Sequence, residues 1–279
     1  MEIIRTIADM QRLSQGWRRA GQRVGCVPTM GALHEGHLSL VREARRRADR
    51  VVVTIFVNPT QFGPKEDFGK YPRPFECDCA LCEQEGVDAV FAPEPAVMYA
   101  PDATTWVVEE KLSQPLCGER RPGHFRGVTT VVAKLFNAVL PDVAVFGQKD
   151  AQQVLVLQRM ARDLNFPVEV VVAPIVREAD GLAMSSRNVY LSEDERTRAL
   201  AISRGLEQAR QAYAAGERRA ERLCAPLRAA IGTACGRVDY VELRSRETLE
   251  LLTTVDHPAV LAVAAFFGAT RLIDNIFLD

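Results

Sequence analysis

Through residues 1–175, five short runs that are apolar at nearly every position alternate with segments of helical spacing, and that alternation leaves few folds open. The runs are 23–28, 51–58, 87–91, 142–146 and 168–173; the helical segments between and after them are 38–48, 75–84, 128–140 and 151–164. Strands of a sheet with one wet face alternate polar and apolar residues. These do not, so they are expected to be buried on both faces, as in a parallel sheet covered by helices. The expectation is an α/β domain with a doubly wound parallel sheet. After Pro174 the texture changes. A glycine-containing segment, 177–188, precedes two helices expected over 192–216 and 218–235, the first opened by Ser192 and Glu195 as a capping box. Runs 238–243, 259–267 and 270–277 then predict a small antiparallel sheet. This gives a second, smaller α+β domain over 176–279, with no internal repeat and no low-complexity stretch.

Composition narrows the function. The 35 Lys and Arg residues meet 36 Asp and Glu for a net charge of −1, so no overall positive field draws in nucleic acid or an anionic membrane. Apolar runs such as 51–57 and 260–267 fall far short of the ~20 residues that span a bilayer. The first residues carry no basic stretch followed by an apolar one, so a cytoplasmic location is expected. Seven cysteines, an odd number, point to reduced thiols. Cys77, Cys79 and Cys82, with Cys117, invite a zinc reading. They lie in a segment of helical pattern, where residues two apart face different ways, and no metal site is expected there.

Three segments carry chemistry. The first strand ends in Val27-Pro-Thr-Met-Gly-Ala-Leu-His-Glu-Gly-His-Leu38 and runs into a helix. A loop at the carboxyl end of a strand in such a sheet is where ligands bind. Gly31 and Gly36 permit close backbone approach, and the helix amino terminus offers N–H groups to a phosphate. His34 and His37, two of only four histidines, are three apart and can share a helical face, donating to phosphate oxygens. The competing reading is a solvated turn with incidental histidines. A zinc-protease reading is poorer, because those histidines are four apart on an unbroken helix and Gly36 interrupts this one. The second segment is Phe146-Gly-Gln-Lys-Asp150, where Lys149 is the last of five lysines in an arginine-rich chain. It suits a phosphate as a point charge, against chance retention, and Asp150 against a plain helix cap. The third, Met184-Ser-Ser-Arg187, is an anion clasp or an ordinary turn.

Together these segments resemble the pantoate–β-alanine ligase family, within the nucleotidyltransferase superfamily, over nearly the whole chain. Pro28 to His37 is similar to the family's paired-histidine motif and Met184-Ser-Ser-Arg-Asn188 to its mobile loop. Phe56-Val-Asn-Pro-Thr-Gln-Phe62, Tyr71-Pro-Arg73, Arg121-Pro-Gly-His-Phe-Arg-Gly-Val128, Phe146 to Gln153 and Arg271-Leu-Ile-Asp-Asn275 also look like family blocks. Two positions depart from the pattern: Gln148, where many members carry Glu, and Pro74.

The resemblance implies a Rossmann-like ATP- and pantoate-binding domain over 1–175 and a C-terminal lid over 176–279. It implies that pantoate attacks the α-phosphate of ATP to give pantoyl adenylate and pyrophosphate, and that β-alanine then displaces AMP. By motif position the ATP site comprises Met30, Gly31, Ala32, Leu33, His34, Glu35, Gly36, His37, Gly147, Gln148, Lys149, Asp150, Val176, Met184, Ser185, Ser186 and Arg187. Of these, His37, His34, Lys149, Ser185, Ser186 and Arg187 meet developing charge. Gln61 and Gln153 bind pantoate, with Gln61 also near β-alanine; Mg²⁺ is expected on the phosphates, with no dedicated protein metal site, and the assembly as a homodimer. The absence of a G-x-x-x-x-G-K-S/T loop favours an adenylate over an acyl phosphate. Two rivals are a nucleotidyltransferase that stops at the nucleotidylated product and a non-catalytic nucleotide sensor. Product analysis separates the first, and pantoate-dependent pyrophosphate release the second.

Overall fold

The computed structural model describes residues 1–64 and 66–279. Its elements run β1 (Glu2–Ile4), α1 (Ile7–Arg19), β2 (Val24–Thr29), α2 (Glu35–Arg47), β3 (Arg50–Ile55), α3 (Phe75–Gln84), β4 (Ala89–Phe91) and α4 (Pro95–Met98). There follow α5 (Cys117–Arg120), α6 (His124–Val139), β5 (Val143–Gly147), α7 (Ala151–Asp163), β6 (Glu169–Ala173), α8 (Glu193–Ala214), α9 (Ala220–Thr233), β7 (Arg237–Ser245), β8 (Ala259–Phe267) and β9 (Thr270–Leu278). The chain divides into two compact units, Met1–Gly147 with Gln152–Ala173, and Gln148–Ala151 with Pro174–Asp279.

In the first unit six strands pair in the order β1-β4-β3-β2-β5-β6, every observed pairing parallel. From β2 the chain steps outward through β3 and β4, then resumes on the other side of β2 with β5 and β6. The order therefore reverses at the β2–β5 pair, and the carboxyl ends of these two strands flank the crevice where such sheets take ligands. Both faces of the sheet are covered, which explains the unbroken apolar runs: Val51 and Val53 pack with Leu40, Val41 and Ala44 of α2, while Val52 between them is equally buried. The sequence reading omits β1, whose three residues are mostly exposed, and α1, whose N-cap Thr6 accepts from the Asp9 amide at 3.2 Å.

The second unit builds on an antiparallel sheet, β7-β8-β9, with β8 at its centre and buried along almost its whole length. The capping box at the start of α8 forms as expected: the Glu195 amide donates to Ser192 Oγ at 3.2 Å and the Ser192 amide to Glu195 Oε2 at 2.9 Å. Helices α8 and α9 approach closely at Gly205, where an added Cβ would stand 2.5 Å from Leu227 Cδ1. Leu227 is fully buried among Leu206, Leu223 and Ile231. Truncation there removes transfer free energy and leaves a cavity, so Leu227→Ala is expected to cost ~2–5 kcal/mol in denaturant unfolding of this unit. An unchanged midpoint would contradict this picture of its core.

Candidate active site

The loop leaving β2 is fixed by a carboxylate from α3. Thr29 closes the strand, its hydroxyl donating to the Thr54 carbonyl at 2.6 Å and accepting from the Gly31 amide at 3.2 Å. Gly31 then turns with φ +79°, and a Cβ there would sit 2.8 Å from Asp78 Oδ2. Both demands select glycine. Asp78, 1% exposed, accepts from the amides of Ala32 at 2.9 Å and Leu33 at 2.7 Å. Burial pushes its carboxyl above the usual range, against the downward pull of those two amides.

This loop delivers the histidines. His34 is not inside α2 but caps it, and His37 is the third helical residue, so the pair forms a capping box made of imidazoles. His34 Nδ1 accepts from the Gly36 amide at 3.1 Å, and His37 Nδ1 accepts from the His34 amide at 3.3 Å. A ring that accepts at Nδ1 carries its proton, in the neutral form, on Nε2. The rings lie 4.1 Å apart between centroids, tilted by 41°. Two neighbouring imidazoles are thereby set up as Nε2–H donors. The backbone N–H groups expected at this helix start are largely engaged: Ala32 and Leu33 by Asp78, His34 and Gly36 by the two rings. The main chain of this loop is thus largely committed within the protein.

Gln61 lies in a 3-10 turn, Pro59–Gln61, in the same unit, its Nε2 3.0 Å from Met30 Sδ. Asn58, 1% exposed, donates to Gln61 Oε1 and to the Gly127 carbonyl, both at 3.1 Å, and accepts from the Tyr99 hydroxyl at 2.9 Å. The Gln61 carbonyl is 2.9 Å from His124 Nδ1, and Arg121 forks onto Glu66 at 2.7 and 2.6 Å. Burial would raise the Glu66 carboxyl, but the Arg121 guanidinium holds it below its usual range. Gln153 lies half-buried on α7; its neighbour Gln152 is buried and spent on the 112–117 segment, accepting from the Cys117 amide at 3.0 Å and donating to the carbonyls of Leu112 and Pro115.

The remaining motif residues, apart from Gly147 at the end of β5, belong to the second unit. Gln148–Asp150 form a 3-10 turn, and Val176 to Met184 form a hairpin in which the Met184 amide donates to the Val176 carbonyl at 3.0 Å, with Gly181 at φ +97°. Ser185 caps the next 3-10 turn, Ser186–Tyr190, its hydroxyl oxygen accepting from the Arg187 amide at 3.3 Å. Asn188 ties this turn back, donating to Glu178 at 2.6 Å and to the Ala183 carbonyl at 3.1 Å. None of the seven cysteines forms a disulfide, Cys77, Cys79 and Cys82 lie on helix α3, and burial raises Cys82 to about 12. Among the described residues no three or more His, Cys, Asp and Glu side chains gather to hold a metal.

Comparison with known proteins defines the class. A crystal structure of pantothenate synthetase from Thermus thermophilus superposes with a TM-score of 0.93 at 45% identity, covering 99% of each chain. A pantoate–β-alanine ligase from Francisella tularensis, solved with β,γ-ATP and β-alanine, matches at 0.84 and 30% identity over 99% of this chain and 97% of that one. The pantothenate synthetase of Acidobacterium capsulatum is 61% identical over 91% of this chain and 86% of its own, and that of Thermotoga petrophila 55% identical over the full length of both. The molecule is thus an enzyme of the carbon–nitrogen ligase class. Its residues 2–277 match the pantoate–β-alanine ligase profile, and the chain belongs to that family.

Gly127 is the point where α6 bears on the Gln61 turn: a Cβ there would overlap the Thr60 carbonyl and stand 2.7 Å from the Gln61 amide nitrogen. The obstruction is backbone, so the turn itself must move. Gly127→Ala is expected to lower ligase turnover by roughly 10²-fold while far-ultraviolet circular dichroism is retained. Parental turnover would show that Gln61 needs no such placement.

Proposed function

We propose that this chain joins pantoate to β-alanine through a pantoyl adenylate, releasing pyrophosphate and then AMP. A carboxylate oxygen of pantoate forms a bond to the α-phosphorus of ATP as the bond to the bridging oxygen of pyrophosphate breaks. The β-alanine amine, in its unprotonated form, then attacks the pantoyl carbonyl, the carbonyl–oxygen bond to AMP breaks, AMP leaves with the oxygen that had belonged to pantoate, and the amine nitrogen gives up one proton to solvent.

The observation that carries this reading is the imidazole pair. With both Nδ1 atoms accepting main-chain amides, His34 and His37 offer two adjacent Nε2–H donors. In the neutral form such donors match charge that grows on phosphate oxygens without competing as bases for the pantoate proton, since the acid reacts as its carboxylate. Lys149 supplies a point charge, and Ser185, Ser186 and Arg187 further donors to the nucleotide; Met30 to His37, Gly147 to Asp150, Val176 and Met184 complete its site. Gln61 and Gln153 orient pantoate through uncharged amides, which leave its carboxylate nucleophilic, and Gln61 also serves β-alanine. Mg²⁺, when bound, would neutralise phosphate charge and be held mostly by the phosphates themselves, since among the described residues no three or more His, Cys, Asp and Glu side chains gather to hold a metal. The family resemblance supports a homodimer working in the cytoplasm, and no helix among the described residues is long and apolar enough to cross a membrane.

The test follows one atom. With pantoate labelled by heavy oxygen in its carboxylate, one labelled atom is expected in AMP, and pyrophosphate is expected in equal amount. ADP with inorganic phosphate, or unlabelled AMP, would contradict the adenylate.

A further inference from the structure

Asn275 of β9 is 2% exposed, and both hydrogens of its side-chain amide are spent on one stretch of main chain. Its Nδ2 donates to the carbonyl of Gln148 at 2.9 Å and to that of Lys149 at 3.1 Å, while its Oδ1 accepts from Gln148 Nε2 at 3.2 Å. The carbonyl of residue 148 lies in the peptide plane before the Lys149 Cα, and the carbonyl of residue 149 in the plane after it. One buried side chain therefore grips both planes that set the backbone of Lys149, and with them the direction in which the lysine leaves the chain.

The preceding residue does the same for the other motif of this unit. Asp274, 4% exposed, accepts a fork from Arg177 at 2.7 and 3.1 Å and the Asn275 amide at 2.8 Å. Arg177 also donates to the Gly181 carbonyl at 3.2 Å, pinning the hairpin that leads into Met184 to Arg187. Successive strand residues point to opposite faces, which lets two neighbours on β9 reach two separate segments.

We propose that Asn275 and Asp274 are positioning residues, Asn275 aiming Lys149 and Asp274, through Arg177, anchoring the loop that carries Ser185, Ser186 and Arg187. The proposal rests on the assignment of Lys149 to the nucleotide. A buried amide that merely stabilised the turn would be worth the same whatever side chain residue 149 bears. A positioning amide is worth nothing to catalysis once the lysine is gone.

The test is a double-mutant cycle on the full-length protein, measuring pantoate-dependent pyrophosphate release together with the thermal unfolding of each variant. Asn275→Asp keeps the volume but sets a carboxylate against two carbonyl oxygens, and Asn275→Ala removes the grip. Each is expected to lower kcat by roughly 10- to 100-fold, with the KM for pantoate unchanged within about twofold. In a Lys149→Ala background Asn275→Ala is expected to cost nothing more. If neither Asn275 variant is folded at the assay temperature, the cycle is run with Gln148→Ala, which removes the hydrogen bond to Asn275 Oδ1; its loss of rate is again expected to vanish when Lys149 is alanine. A slow Lys149→Ala beside parental kcat in the Asn275 variants, or losses that multiply in the double variant, overturns the positioning role alone. Parental turnover in Lys149→Ala overturns that role and the assignment of the lysine together.

Discussion

The loop between β2 and α2 is ordered around a carboxylate that folding alone does not favour. Asp78 sits almost wholly out of water, and burial leaves its carboxyl harder to ionise than in solvent. A group whose pKa rises on folding adds stability in acid and loses it as pH climbs through the raised value, so the ionised form at neutral pH is a cost. What it provides is geometry. As an acceptor-only group it takes two consecutive amides, Ala32 and Leu33, at charge-assisted distances, and a neutral isostere would turn a donor toward one of them. With those amides fixed, Gly31 is confined to its turn, His34 becomes the cap of α2, and the two rings meet.

The second unit solves the same problem differently. There the segments that bear Lys149 and the Ser-Ser-Arg loop are held by strand residues and by the ion pairs around Glu178, Asp180 and Arg196, with Asn275 and Asp274 side by side. The Arg196 guanidinium and the Leu182 amide keep Asp180 ionised against its partial burial. The turn that leads to His34 and the segments 148–150 and 177–188 are thus each secured by a residue of a helix or strand, which is how a flexible connection can present a group accurately.

What is legible in the sequence and what is not divide along that line. Strands β2 to β6, the helices between them and the three tail strands can be read because apolar runs, helical spacing and the Ser192–Glu195 box are local signals. Helix α2 starts three residues earlier than its spacing suggests, since histidine is an unusual cap and Gly36 reads as an interruption. Helix α6 begins at His124 rather than at 128, immediately after Gly123 at φ +83°. The candidate site residues are visible as motifs, but their supports are not: Asp78 lies 46 residues from Ala32, and Asn275 lies 126 residues from Lys149. Asn58, Arg121, His124 and Asn275 all fall within blocks that resemble the family, yet no spacing rule assigns them a partner. Asp78 stands in a segment whose cysteines are the more conspicuous feature, on a helix where it and Cys82 are the only buried residues.

If the Asp78 carboxylate organises the loop that presents the histidines, its removal must loosen that loop without disturbing the strand that leads into it. Residue-resolved amide hydrogen exchange on the parent and on Asp78→Ala tests this most directly. Protected Ala32 and Leu33 amides are expected in the parent, with loss of that protection in the variant while the amides of Cys26 and Val27 are unchanged, and with a matching fall in pantoate-dependent pyrophosphate release. Amides that stay protected without the carboxylate, or a loosened loop with parental turnover, would contradict it.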